Sequence, residues 1–203
     1  LRQSVAVVYL SSGAATSVER GVSVAHRTRV YGQAKLDDEA VLRDVVCRGG
    51  GRLCIVRAFA LSGPYMTKPE TYALGNMIIQ ALAAGSIEVR ATRPVRRSYM
   101  AIDDMLHVAM HAVQDIAAGE TIAFETAGEV VEVGDLARRV LTVLGHDPDN
   151  VRRSGLESHA DADDYLGDTT QMEALAGRAG VIPVGLDAQI AVTGDWLRRQ
   201  VAA

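Results

Sequence analysis

Val5-Ala6-Val7-Val8-Tyr9-Leu10-Ser11-Ser12, followed further on by Tyr31-Gly32-Gln33-Ala34-Lys35, is the part of the sequence from which the fold can be read. A continuous apolar run rich in β-branched residues marks a strand buried on both faces of a parallel sheet. This run ends in two serines. Tyr31 and Lys35, at i and i+4, lie one turn apart on one face of a helix. An ammonium beside a phenol favours the phenolate, and such a phenol can exchange a proton with a hydroxyl or a ketone. Ser12, at the end of the strand, is suited to hydrogen-bond the same oxygen.

Outward from this centre, strands and helices alternate. Residues 11–26 are small and polar and read as a loop. A helix is expected over 29–47, with Val30, Ala34, Val41 and Val45 on its inner stripe. Gly49-Gly50-Gly51 breaks the chain before a strand at 53–59. The cluster precedes a strand instead of following one, so it reads as a turn and not as a phosphate cradle. Further helices are expected over 70–84, 103–116, 135–144, 170–176 and 186–201. Strands are expected at 87–90, 98–101 and 121–125. The alternation predicts an α/β fold with a parallel sheet.

Composition narrows the function classes. The chain has 203 residues, 48% of them hydrophobic, and a net charge of −4, which suits one or two globular units. Slight acidity without a basic patch argues against nucleic acid as a partner. No run approaches the roughly 18 apolar residues of a membrane span. Leu1-Arg2-Gln3-Ser4 do not form the charged start of a secretory leader. Cys47 and Cys54 are the only cysteines and lack metal-ligand spacing. Cys54, within Leu53-Cys54-Ile55-Val56, reads as a small buried side chain. A cytoplasmic protein is expected.

Several further motifs recur in a fixed order. They are Arg57-Ala58-Phe59-Ala60-Leu61-Ser62-Gly63-Pro64, then Tyr72-Ala73-Leu74-Gly75-Asn76, Arg97-Ser98-Tyr99, Asp104, and Gly167-Asp168-Thr169-Thr170. With Ser11-Ser12 and Tyr31/Lys35, they make residues 9–198 resemble the C-terminal part of the extended short-chain dehydrogenase/reductases. Within these, the resemblance is to the NAD-dependent epimerase/dehydratase family acting on nucleotide sugars. The wording of the Arg-Ala-Phe-Ala, Gly-Pro-Tyr and Arg-Ser-Tyr segments looks most like members that act on CDP- or dTDP-linked deoxysugars.

The resemblance implies that Ser12, Tyr31 and Lys35 are catalytic, with Tyr31 as general acid/base. It implies that Ser11, Tyr31 and Lys35 contact the cofactor, NAD or NADP. Asn76, Arg97 and Ser62 would hold the nucleotide-sugar substrate. An arginine suits that role because its planar fork pairs bidentately with phosphate oxygens; the other reading of Arg97 is a surface ion pair with an acid such as Asp103. Family members commonly dimerise through the Tyr-x-x-x-Lys helix, so a homodimer is implied. No metal is expected. Asp104, His107 and His111 share a helical face, but this spacing lacks a zinc motif and reads as solvated polar surface. The acidic run His159-Ala160-Asp161-Ala162-Asp163-Asp164 reads as a solvated loop, and Asp168 as a helix cap.

The sequence departs from the family pattern in several places. Ser12 is followed by Gly13 and Ala14, where 4,6-dehydratases carry an acidic pair. That favours epimerase or ketoreductase chemistry. Ala60 stands where members often have Asn, residues 90–94 lack the usual turn glycines, and the loop between Ser12 and Tyr31 is short. The chain also starts at what would be a late strand of the fold. The resemblance would call for a further βαβαβ half on the order of 100 residues with a glycine-rich turn, supplied either by a larger polypeptide of which this is a fragment or by another chain. The expectation is a fragment that binds NAD(P) poorly by itself.

The predicted fold is therefore α/β: a partial doubly wound, Rossmann-like parallel sheet with a small α/β substrate-binding lobe. Residues 1–59 and about 98–128 would form the C-terminal half of the NAD(P)-binding domain. Residues of about 60–97 and 129–203 would form the nucleotide-sugar lobe. The expected function is an NAD(P)-dependent nucleotide-sugar epimerase or ketoreductase. The alternatives are a 4,6-dehydratase and a non-catalytic dinucleotide-binding sensor of the same fold.

Overall fold

The structure, a computed structural model, describes residues 5–157 and 161–201. Leu1-Arg2-Gln3-Ser4 and His159-Ala160, which entered the sequence reading, lie outside the described residues. In chain order the first elements are β1 (Ala6–Ser12), α1 (Gly13–Glu19), α2 (His26–Arg48), β2 (Arg52–Ala58) and β3 (Ala60–Ser62). There follow α3 (Ala73–Ala84), β4 (Ile87–Glu88), β5 (Val95–Ala101), α4 (Ile102–Asp115), β6 (Thr121–Glu125) and β7 (Glu129–Glu132). The last are α5 (Val133–Val143), β8 (Val151–Arg152), β9 (Asp163–Tyr165), α6 (Thr169–Ala179) and α7 (Leu186–Val201).

Two compact units result: unit 1 comprises residues 1–59, 103–127 and 167–183, and unit 2 comprises 60–102, 128–166 and 184–203. The boundaries differ from the expected ones at two segments. Residues 98–102 belong to unit 2, because β5 pairs with β3, β7 and β9. Residues 167–183 belong to unit 1, where α6 packs on β6.

Unit 1 is built on a parallel sheet in the order β1-β2-β6. Leu53, Cys54, Ile55 and Val56 in central β2 are fully buried, as an unbroken apolar run requires. Buried side chains of α4 (Met105, Val108, Ala109, Ala112) and α6 (Met172, Leu175, Ala176) belong to the same unit. Unit 2 carries a mixed sheet, β3-β5-β7, with β9 also paired to β5. A separate parallel pair joins β4 to β8. Its core gathers Leu74, Ile78 and Ala81 of α3, Leu136, Val140 and Leu141 of α5, and Leu186 and Ile190 of α7.

The run at β1, expected to be buried on both faces, is only half-buried at Val7, Val8 and Tyr9 and exposed at Leu10, because β1 ends the β1-β2-β6 order. Two more expectations are corrected. The segment read as a loop after Ser12 contains α1, whose first turn is closed by the Ser12 hydroxyl accepting from Ala14 N at 3.2 Å. Secondly, α2 turns the opposite way. Val30, Ala34, Val41 and Val45 are exposed, while Gly32 and Glu39 are buried. A Cβ at position 32 would lie 2.3 Å from the Ala14 carbonyl oxygen, so only glycine lets α2 approach α1 this closely. The valines misled because burial of this helix is set by that contact and by an ion pair at Glu39. Short β3, β7, β8 and β9 were not legible either.

Candidate active site

The C-terminal ends of parallel strands are where open α/β sheets place their chemistry, and β1 ends there in Ser11-Ser12. Both serines are nearly buried. Ser11 donates to Glu39 Oε1 at 2.6 Å, and Glu39 in turn accepts from Arg57 Nε at 3.0 Å and Nη2 at 2.8 Å. Arg57 reaches Glu19 as well, at 2.5 Å. Bonding to Glu39 and then Glu19 outweighs burial and raises the basicity of this guanidinium further. This cluster pins the end of β1, helix α2 and the end of β2 to one another.

Tyr31 and Lys35 stand on α2 two turns and one turn before Glu39. Tyr31 is 50% exposed, so its phenol is open to a ligand. Lys35 Nζ lies 6.0 Å from the Tyr31 ring centroid and 4.7 Å from that of Tyr9. It donates to Tyr9 Oη at 3.1 Å and to the Leu10 carbonyl at 3.0 Å. The structure therefore gathers Ser11, Ser12, Tyr31 and Lys35 on two adjoining elements of unit 1. Glu39, Arg57, Tyr9 and Asp38 were missed by sequence reasoning. The signal for Glu39 was present: it continues the Tyr31, Lys35 series at i+4.

In unit 2 the expected substrate residues are engaged internally. Ser62 is 1% exposed and gives its hydroxyl to Gln189 Oε1 at 2.6 Å, which joins β3 to α7. Asn76 donates to the Glu70 carbonyl at 3.2 Å and accepts from Gln80 Nε2 at 2.6 Å. Arg97 donates to the Asp163 carbonyl at 2.7 Å and the Arg96 carbonyl at 2.8 Å, pairs with Asp163 Oδ1 at 3.3 Å, and lies 5.8 Å from the Tyr165 ring. Its acidic partner is thus Asp163 and not Asp103. Asp168 caps α6 by accepting from Thr170 N at 2.8 Å, which lowers its carboxyl below the ordinary range. A cavity of about 1040 Å³ in the same unit is lined by Arg90, Arg152, Arg153, Ser86 and Ser154 among others.

His107 and His111 are exposed and Asp104 is buried. Among the described residues no group of three His, Cys, Asp or Glu side chains is arranged to hold a metal. No described helix is long and apolar enough to cross a membrane. For a dinucleotide, the side chains present fit the nicotinamide-ribose end, where an exposed phenol and a lysine ammonium stand side by side. No described strand opens through a glycine-rich turn onto a helix, and Gly49-Gly50-Gly51 leads from α2 into β2.

A parallel sheet thus carries a serine-ended strand beside the helix that bears Tyr31 and Lys35. Residues 1–134 of the 203 match the model of the NAD dependent epimerase/dehydratase family, and the chain belongs to that family. No curated protein matches the sequence. Among solved structures, the chain is similar to a UDP-N-acetylglucosamine 4-epimerase from Methanobrevibacter ruminantium, in complex with UDP-N-acetylmuramic acid. The TM-score is 0.71 at 16% identity, over 96% of this chain and 63% of that one. It is likewise similar to the dTDP-glucose 4,6-dehydratase of Bacillus anthracis in complex with NAD, with TM-score 0.68, 12% identity, and 96% and 62% coverage. A third similar structure is RMD from Pseudomonas aeruginosa complexed with NADPH, with TM-score 0.68, 17% identity, and 95% and 66% coverage. The chain spans less than two thirds of the length of each of these three.

Proposed function

We propose that this chain carries the catalytic residues of an NAD(P)-dependent nucleotide-sugar epimerase or ketoreductase. The observation that supports it best is the exposed Tyr31 phenol one helical turn from Lys35, beside the serine-ended strand β1. In this reading Tyr31 gives a proton to, or takes one from, a sugar oxygen. The Lys35 ammonium stabilises the charge that the phenol bears once its proton has left. Ser12 orients the reacting oxygen. Hydride transfer is the chemistry that a bound nicotinamide supplies. Tyr31, Lys35 and Ser11 are assigned to that end of the cofactor.

Unit 2 is read as the nucleotide-sugar lobe, with Asn76 and Arg97 as polar contacts to substrate. Ser62 supports that lobe from within through Gln189. The 4,6-dehydratase reading is disfavoured because Gly13 and Ala14, which open α1, carry no acid or base. The exposed stripe Val30, Val41 and Val45, at 55–64% exposure, suits a second copy packing on α2 as a homodimer. The free thiols of Cys47 and Cys54 suit a reducing, cytoplasmic setting.

The test is Tyr31→Phe in the protein, assayed with UDP- and dTDP-sugars and either cofactor. Turnover should fall by about 10²–10⁴-fold, the usual share of a general acid/base. A variant that turns over like the parent rules out Tyr31. A wild-type protein that binds dinucleotide but converts no nucleotide sugar supports the sensor reading instead.

A further inference from the structure

Lys35 is one of only two lysines, against nineteen arginines. Its ammonium is tied down by a partner outside the family motif. Tyr9, half-buried on β1, accepts from Lys35 Nζ at 3.1 Å and donates to Asp38 Oδ2 at 2.6 Å. The direction of these bonds follows from chemistry. A carboxylate only accepts, so the Tyr9 proton points to Asp38, and the phenol's lone pairs turn toward Lys35. Burial, then Asp38, pushes the Tyr9 phenol well above its ordinary value, so it keeps that proton. Leu10, the next residue along β1, supplies a carbonyl to Lys35 at 3.0 Å. An ammonium has three donors; two are committed here to β1, and one remains.

We infer that Tyr9 and Asp38 are positioning residues for Lys35. They form a chain from carboxylate through phenol to ammonium that fixes where the ammonium sits and leaves one N–H for its catalytic partner. Tyr9 comes from the strand that bears Ser12, and Asp38 from the helix that bears Tyr31. The pair therefore ties Lys35 to both elements of the site at once. The inference rests on the assignment of Tyr31 and Lys35 as catalytic.

The second lysine makes a direct test possible. Lys68 is exposed, just before a 3-10 turn at Pro69–Thr71, and serves as an internal reference. The chain is treated with a limiting amine-acylating ester, and peptide mass spectrometry gives the ratio of Lys35 to Lys68 modification. An amine held by two acceptors acylates slowly, so the ratio should be low and should rise about fivefold in Tyr9→Phe and in Asp38→Ala. Asp38→Asn, which keeps an acceptor for the Tyr9 hydroxyl, should restore the low ratio. An unchanged ratio in a folded Tyr9→Phe overturns the inference.

In turnover assays of the protein, Tyr9→Phe should lower kcat by about tenfold or more while leaving the nucleotide-sugar KM in place, the pattern of a loss confined to the transition state. If Tyr31→Phe is inactive and Tyr9→Phe has the parental kcat, the positioning role falls and the catalytic reading stands. If Tyr31→Phe retains turnover, both fall.

Discussion

Arg97 on β5 holds Asp163 on β9 at two points, the carbonyl at 2.7 Å and the carboxylate at 3.3 Å. The arginine proposed to meet a diphosphate thus already has an internal anion. Arg93 shares the same carboxylate at 3.0 Å, and Arg96 pairs with the neighbouring Asp164 at 2.6 Å. A phosphate must compete with these carboxylates. Asp163→Ala should therefore tighten UDP or dTDP binding by about three- to tenfold, and Arg97→Ala should weaken it by about tenfold or more, the scale of one charge-assisted contact. Backbone pairing of β5 with β9 does not need either side chain. Isothermal titration decides it, and equal affinities in all three proteins would remove Arg97 from the nucleotide site.

Glu39 is 3% exposed and is the acceptor for both Ser11 and Arg57. Deleting Glu39 leaves the Ser11 hydroxyl and part of the Arg57 guanidinium without their acceptor, with Glu19 still paired to Arg57, at a cost of about 1–3 kcal/mol. Glu39→Ala should lose that much in urea denaturation followed by circular dichroism. Glu39→Gln keeps an acceptor for Ser11 and should lose less.

Glu132 gives a pH signature. Its burial alone would raise its pKa, but bonds from Val95 N at 3.1 Å and Gly134 N at 2.6 Å, with Arg153 at 2.9 Å, outweigh burial and lower it below the ordinary 4.5. A carboxyl more acidic in the folded than in the unfolded chain stabilises the fold above the unfolded value, and that contribution is lost as pH falls through the folded value. Glu132→Gln should thus be less stable than the parent at pH 7, by about 1–3 kcal/mol. The gap should close on acidification below 4.5. Urea midpoints of both proteins across that range test the sign.

Gly32 follows Tyr31 directly, and a Cβ there meets Ala14 backbone at 2.3 Å. Gly32→Ala should cost about 1–3 kcal/mol by overpacking α1 against α2. Thermal unfolding measures this. A variant as stable as the parent would mean that the two helices part easily.

Much of the fold was legible because its signals are local. The β2 run Leu53-Cys54-Ile55-Val56 announces a strand covered on both faces, and it is fully buried. The helix expected over 103–116 is present as α4, and its buried Met105, Ala109 and Ala112 follow helical spacing. The orientation of α2 was not legible. Its valines obey helical spacing, yet the buried positions are a glycine and a glutamate. Neither can be recognised as buried until Ala14, Ser11 and Arg57 are known to stand opposite.

The sequence by itself determined the alternation of elements, the serine-ended strand and the spacing of Tyr31 from Lys35, because propensity and periodicity act over a few neighbouring residues. Only the tertiary structure decided that Lys35 bonds Tyr9, that Ser11 bonds Glu39 and that Arg97 bonds Asp163. These partners lie 26, 28 and 66 positions apart along the chain. A hydrogen bond between such residues exists only once strand pairing and helix packing have brought distant segments to within about 3 Å, and no local pattern encodes which polar group will be waiting there.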